Sequence, residues 1–259
     1  PRSAELVDTL RKRGVDTAPG LQYGEIPATF AQRFAKIFVE LGTCPDVTGI
    51  IHGQREVKSA WEIEQMDAAA DLSDEFSFGE IRTSHNQNII LADVKKSELF
   101  DLWQKATDLG LASPNIGLLT DIICCPGGDF CSLANAKSIP IATSIQEAFD
   151  NLDYLHDIGE LELNISGCMN ACGHHHIGHI GVLGVDKDGS EWYQVTIGGK
   201  QGNDASLGSV IGPSFAAEEM PGVVKKLIDV YIKHRNPEER FIDTVRRLGV
   251  NPFKEHVYA

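Results

Sequence analysis

Six cysteines stand at positions 44, 124, 125, 131, 168 and 172 of the 259-residue chain, and five of them crowd between 124 and 172. Two close the segment Cys125-Pro126-Gly127-Gly128-Asp129-Phe130-Cys131, a C-x5-C pair. Two more follow in Cys168-Met169-Asn170-Ala171-Cys172, a C-x3-C pair 37 residues after Cys131. Thiolates are the ligands of iron–sulfur clusters, and four of them close a cubane. Gly127, Gly128, Gly167 and Gly173 let the backbone turn and approach inorganic sulfide, where their amides can donate to sulfur. Two other readings compete. Structural zinc favours C-x2-C to C-x4-C knuckles over one x5 and one x3 pair. Four thiols used as small buried hydrophobes would not need two glycine-flanked pairs. The uneven clustering does not suit a disulfide framework and points to metal ligation. Cys124 adjoins Cys125, but the x5 spacing selects Cys125, and Cys44 reads as a lone thiol. His174, His175, His176 and His179 could ligate a metal; the thiolates already form a full set, so at most one histidine is expected to face a cofactor.

The elements that must position these residues follow from hydrophobic periodicity. A strand over 161–166 runs directly into Cys168, and the run Ile122-Ile123-Cys124 reads as the end of an apolar strand leading into Cys125. Ser138 to Leu155 carries a helical pattern in Ile145, Ala148, Phe149 and Leu152. Residues 179–185 and 191–197 form a hairpin around Asp186-Lys187-Asp188-Gly189, followed by a glycine-rich loop, Gly198 to Gly202. Two helices, 222–234 and 237–248, finish the chain. Upstream, a helix over 28–41 and a strand over 47–52 precede a capping box at Ser59–Glu62. That box opens a helix to about Phe76, with Ile63, Met66, Ala70 and Phe76 on one side. Strands over 80–84 and 88–94 and an amphipathic helix from Ser97 to Gly110 complete most of a ferredoxin-like split β-α-β unit. The fold class is α+β, divided as a 1–45 linker region, a 46–114 half-domain and a 115–259 cysteine domain.

Composition sets the outer limits. Apolar residues make up 42% and charged residues 23%, which suits a globular core. Lys+Arg 23 against Asp+Glu 37 gives a net charge of −14, which disfavours non-specific binding to nucleic acid or anionic membranes. No apolar run reaches the roughly 18–20 residues of a membrane-spanning helix. The chain begins at Pro1 without an apolar signal core and reads as a cytoplasmic segment of a longer polypeptide.

The segments 125–131 and 166–173 resemble the cluster motifs of the sirohaem-dependent nitrite and sulfite reductases. Phe78 to Asn88, with Arg82 running into Gln87-Asn88, resembles that family's ferredoxin-like half-domain motif, and the likeness extends through 181–184 and 195–199. The resemblance implies that Cys125, Cys131, Cys168 and Cys172 hold a [4Fe-4S] cluster. It implies that Cys172 bridges the cluster to the iron of sirohaem, with Asn170 and Gly173 against the macrocycle and Gly199, Lys200 and Gln201 at its edge. The carboxylates of sirohaem give Lys200 an electrostatic motive there. Arg82 is expected to be structural, because this chain is similar to the second of two pseudo-symmetric halves and the first supplies the anion-binding residues. The implied partners are that N-terminal lobe, a flavoprotein or ferredoxin electron donor, and sulfite or nitrite. The implied activity is six-electron reduction of the oxyanion, absent from this half in isolation. The alternative is a non-catalytic or zinc-binding half-domain module.

Overall fold

Two strands that end in glycine-flanked cysteines, Cys125 and Cys168, must lie side by side if those thiols are to meet, and the sheet arranges them so. In the computed structural model, which describes residues 60–259 together with Arg11, Lys12 and Lys36, five strands form one mixed sheet in sequence order. These are β3 (Ile123–Cys124), β4 (Leu163–Ser166), β5 (Ile180–Lys187), β6 (Ser190–Ile197) and β7 (Ser209–Val210). β3, β4 and β5 run parallel, while β5, β6 and β7 alternate. The register pairs Cys124 with Ile165, so β3 and β4 deliver Cys125 and Cys168 from the same end of the sheet.

β4 is buried along its whole length, yet its sequence, Leu163-Asn164-Ile165-Ser166, alternates. Leu163 and Ile165 join the main core with Ile180, Val182, Val195 and Ile197 of the neighbouring strands. Asn164 and Ser166 point to the opposite face. The core is closed by α3 (Ile139–Ala148), α4 (Leu152–Ile158), α5 (Met220–His234), α6 (Phe241–Leu248) and α7 (Asn251–Tyr258). Tyr231, Phe241 and Phe253 stack edge to face among them. Where one helical pattern over 138–155 is predicted, the chain makes two helices. Asn151 breaks the run and caps α4, its side chain accepting from the Tyr154 amide at 2.9 Å. The hairpin is as predicted: Asp188 and Gly189 both take positive φ between β5 and β6, the two-residue turn whose twist matches its strands. Periodicity predicts two C-terminal helices, but α7 is a third. Pro252 lies in its first turn, where proline opens a helix rather than breaking it.

Upstream lie α1 (Ala60–Phe76), the antiparallel pair β1 (Ile81–Thr83) and β2 (Ile89–Leu91), and α2 (Leu99–Asp108). The face predicted for α1 is corrected: Leu72, Ser73 and Phe76 are buried, whereas Ile63 and Met66 are exposed. α2 buries none of its residues, and its Leu99, Phe100 and Trp103 stay exposed. The expected helix over 28–41, strand over 47–52 and cap at Ser59, with Cys44, lie outside the described residues. Residues 72–259 form one compact unit, and the cysteine site lies wholly within it. Among the described residues no helix is long and apolar enough to cross a membrane.

Candidate metal centre

The polar face of β4 is the floor of the site. Ser166 Oγ accepts the Gly173 amide at 3.1 Å, and Asn164 Nδ2 donates to the His174 carbonyl at 3.1 Å. These two bonds lay the 168–178 loop across the sheet. Gly181 on β5 has no room for a Cβ because the His175 carbonyl passes over it, and Gly173 lies as close to the Ile165 carbonyl. The first cysteine loop is tied to the second through Gly167. Its carbonyl accepts from the Asn135 and Ala136 amides at 2.8 and 3.0 Å, and a Cβ there would lie 2.6 Å from the Ala136 carbonyl oxygen. The Gly167 amide donates to Cys125 Sγ at 3.1 Å, the amide-to-sulfur bond that stabilises a thiolate ligand and tunes a cluster. Gly127, at φ +65, has a Ser138 oxygen 2.8 Å from where its Cβ would stand, and only glycine takes that combination without strain.

The Cys125 amide donates to Ile165 O at 3.1 Å, while the Cys131 amide closes the first loop onto Gly127 O at 2.9 Å. All five described cysteines are free thiols: Cys125 and Cys168 buried, Cys131 half-buried, Cys172 exposed. Among the described residues no three His, Cys, Asp or Glu side chains converge as a metal site as they stand. The structure brings together the two loops that carry the thiols rather than a closed tetrad. Four reduced thiols, a sulfur-directed amide and glycines packed against backbone form a donor set and cradle that fit an iron–sulfur cluster. Cys124 stands apart from that set. Burial, with Cys125 adding to it, pushes its thiol up to about 12, and it donates to the Cys125 carbonyl at 3.2 Å.

Asn170 is exposed between the paired cysteines. Gly199, Lys200 and Gln201 follow β6, and the register Leu163–Ile180–Ile197 places them beyond the end of β4 opposite to Cys168. There Lys200 Nζ pairs with Asp204 at 2.6 Å and Gln201 Nε2 donates to Glu162 Oε1 at 2.9 Å. Asp204 also pairs with Arg246 at 2.9 Å. Of the histidines, His179 is structural: its buried Nδ1 accepts the Glu162 amide at 3.1 Å. His175 is buried with Nδ1 unpartnered, and His174 is exposed in the left-handed region. Arg82 pairs with Glu80 at 2.6 Å on the surface.

Residues 118–259, more than half of the chain, match the nitrite and sulphite reductase 4Fe-4S domain, and residues 58–109 match the nitrite/sulfite reductase ferredoxin-like half domain. The chain belongs to the nitrite and sulfite reductase family, whose cofactors are a [4Fe-4S] cluster and sirohaem. It is 30% identical over 200 residues to the assimilatory ferredoxin-dependent nitrite reductase of Haloferax mediterranei, covering 72% of this chain and 33% of that protein. It is 22% identical over 194 residues to the assimilatory-type sulfite reductase of Nitratidesulfovibrio vulgaris, covering 74% of this chain and 84% of that one. The solved NirA protein of Mycobacterium tuberculosis matches with a TM-score of 0.62 at 25% identity, over 73% of this chain and 36% of that one. The chain therefore spans about a third of the length of most of these relatives and most of the length of the second.

Proposed function

We propose that this chain is the cluster- and sirohaem-bearing part of an assimilatory-type sulfite or nitrite reductase of the cytoplasm, supplied with electrons by a ferredoxin or a flavoprotein. The observation that supports it is the joining of the C-x5-C and C-x3-C loops through Gly167 at the end of two parallel strands. When bound, the two cofactors supply the one-electron carriers that a six-electron reduction needs. Cys125 and Cys168 are the ligands fixed by the sheet, and Cys131 and Cys172 close the set from the loops. Cys172, the exposed member, is the one free to be shared with the sirohaem iron. Asn170 and Gly173 border the macrocycle on the same loop. Gly199, Lys200 and Gln201 join its edge on condition that Lys200 exchanges Asp204 for a macrocycle carboxylate. The division at 45/46 and 114/115 is part of the same reading.

Two readings of how the activity is completed remain distinct. The exposed Leu99, Phe100 and Trp103 of α2 and Ile81, Ile89 and Ile90 of the β1–β2 pair favour a requirement for an N-terminal lobe. The length of the Nitratidesulfovibrio vulgaris relative, of which the chain covers 84%, favours a chain that works at this size. The test is iron, acid-labile sulfide and a visible spectrum on protein purified without oxygen. About four irons and four sulfides per chain, with a tetrapyrrole band, are expected, and a colourless zinc-loaded protein would refute the proposal. Reduction of sulfite or nitrite by the loaded chain alone then selects the second reading, and activity only with an added lobe selects the first.

A further inference from the structure

β3 is an edge strand of only two residues, and in a parallel ladder alternate residues turn their backbone groups to the neighbour. Cys125 spends its amide on Ile165 of β4, so Cys124 turns its N–H and C=O to the free edge, where they would meet water. The side chain of Gln87 occupies that edge. Its Oε1 accepts the Cys124 amide at 2.9 Å and its Nε2 donates to the Cys124 carbonyl at 2.9 Å, so one carboxamide acts as one residue of a further strand. The neighbouring Asn88 donates to Asp121 Oδ1 at 3.1 Å, and Asp121 Oδ2 takes the Gly117 amide at 3.0 Å. The loop that presents Gln87 is built for the purpose. Gln87 sits at φ +62, a conformation that is strained for its residue type, and Ser84 Oγ holds the Asn86 and Asn88 amides at 3.2 and 3.1 Å.

We infer that Gln87 is a positioning residue for the metal centre: by clasping the backbone of Cys124 it fixes where the next residue, Cys125, presents its thiol. The inference rests on the assignment of Cys125 as a cluster ligand and deepens it, because it makes the β1–β2 pair a brace of the cysteine loop. Two measurements on the full chain keep the failures apart. Hydrogen exchange at the Cys124 amide reads the clasp with or without a cluster. Gln87→Ala is expected to speed it about tenfold, and Gln87→Glu, which keeps an acceptor, to leave it protected. Release of iron to a chelator from anaerobic protein reads the effect on the centre. It is expected to quicken about fivefold in Gln87→Ala and less in Gln87→Glu, with the cluster's electron paramagnetic resonance line shape altered in the alanine variant. Faster exchange with unchanged iron release and spectrum overturns the positioning role, and unchanged exchange overturns the clasp itself. A wild-type chain that takes up no cluster refutes the Cys125 assignment and the inference with it.

Discussion

Gly173→Ala should damage the metal centre through a single carbonyl oxygen. The new Cβ would fall deep inside contact distance of Ile165 O and stand 2.8 Å from the Ile165 carbonyl carbon and 3.1 Å from Ser166 Oγ. An ordinary Cβ contact lies at 3.4–4 Å, so either β4 or the 168–178 loop must retreat by an ångström or more. The same Ile165 oxygen accepts the Cys125 amide at 3.1 Å, and the Gly173 amide is itself bonded to Ser166. Overpacking of this kind costs roughly 1–3 kcal/mol, and the loss of one buried hydrogen bond adds about 0.5–1.5 kcal/mol. The sum is about 1.5–4.5 kcal/mol, which for a unit of this size lowers Tm by roughly 3–18 °C. Thermal unfolding and iron content, measured on the same preparations, give the readout. Gly222→Ala is the control: Gly222 lies exposed in α5 with nothing within 4 Å of its Cβ position, so it should hold or raise stability by up to about 1 kcal/mol. A Gly173→Ala protein that melts within about 2 °C of the parent, a shift of no more than about 1 kcal/mol, and keeps its iron would refute the reasoning.

Three further outcomes follow from the geometry. Cys125→Ser should abolish iron retention whereas Cys124→Ala should keep it, since the Cys124 thiol is held protonated by burial beside Cys125; equal iron loss in the two variants would refute the distinction between them. His179 is buried, and burial holds its imidazole below the ordinary range, aided by Lys200 and Arg240 and opposed by Glu162 and Glu160. A depressed folded-state pKa contributes stability that is complete above about 6.5 and is lost as pH falls through the lower folded value. Stability should therefore drop faster below pH 6.5 in the parent than in His179→Gln, and parallel curves of Tm against pH would contradict this. Asp204→Asn should loosen both Lys200 and Arg246, which share that carboxylate. Tighter sirohaem retention in this variant is the expected sign that Lys200 serves the macrocycle, and unchanged retention would remove Lys200 from the site.

What the sequence made legible is what depends on local pattern. The alternating 161–166 strand and the hairpin at Asp188-Gly189 each carry their reason within a few residues, and the chain folds them accordingly. The failures share a different cause. Ile63 and Met66 obey helical spacing with Phe76, yet spacing names a face without naming what the face meets, and the burial is shifted round the helix to Ala69 and Leu72. Pro252 has two meanings, and only the residues before it, Gly249 at φ +73 ending α6, decide that here it starts a helix. The Gln87 clasp spans 37 residues, and nothing in a glutamine's own neighbourhood announces a bond to a strand edge that forms only when the sheet does. The same limit bears on Lys200. Its charge suits an anionic macrocycle, but a lysine on a glycine-rich loop takes whichever carboxylate lies nearer, and four residues on the chain supplies Asp204. A motif fixes which atoms can do the chemistry; the sheet register fixes which of them share an end, and on that ground Cys125 and Cys168, which follow β3 and β4, have the stronger claim to the centre than the loop after β6.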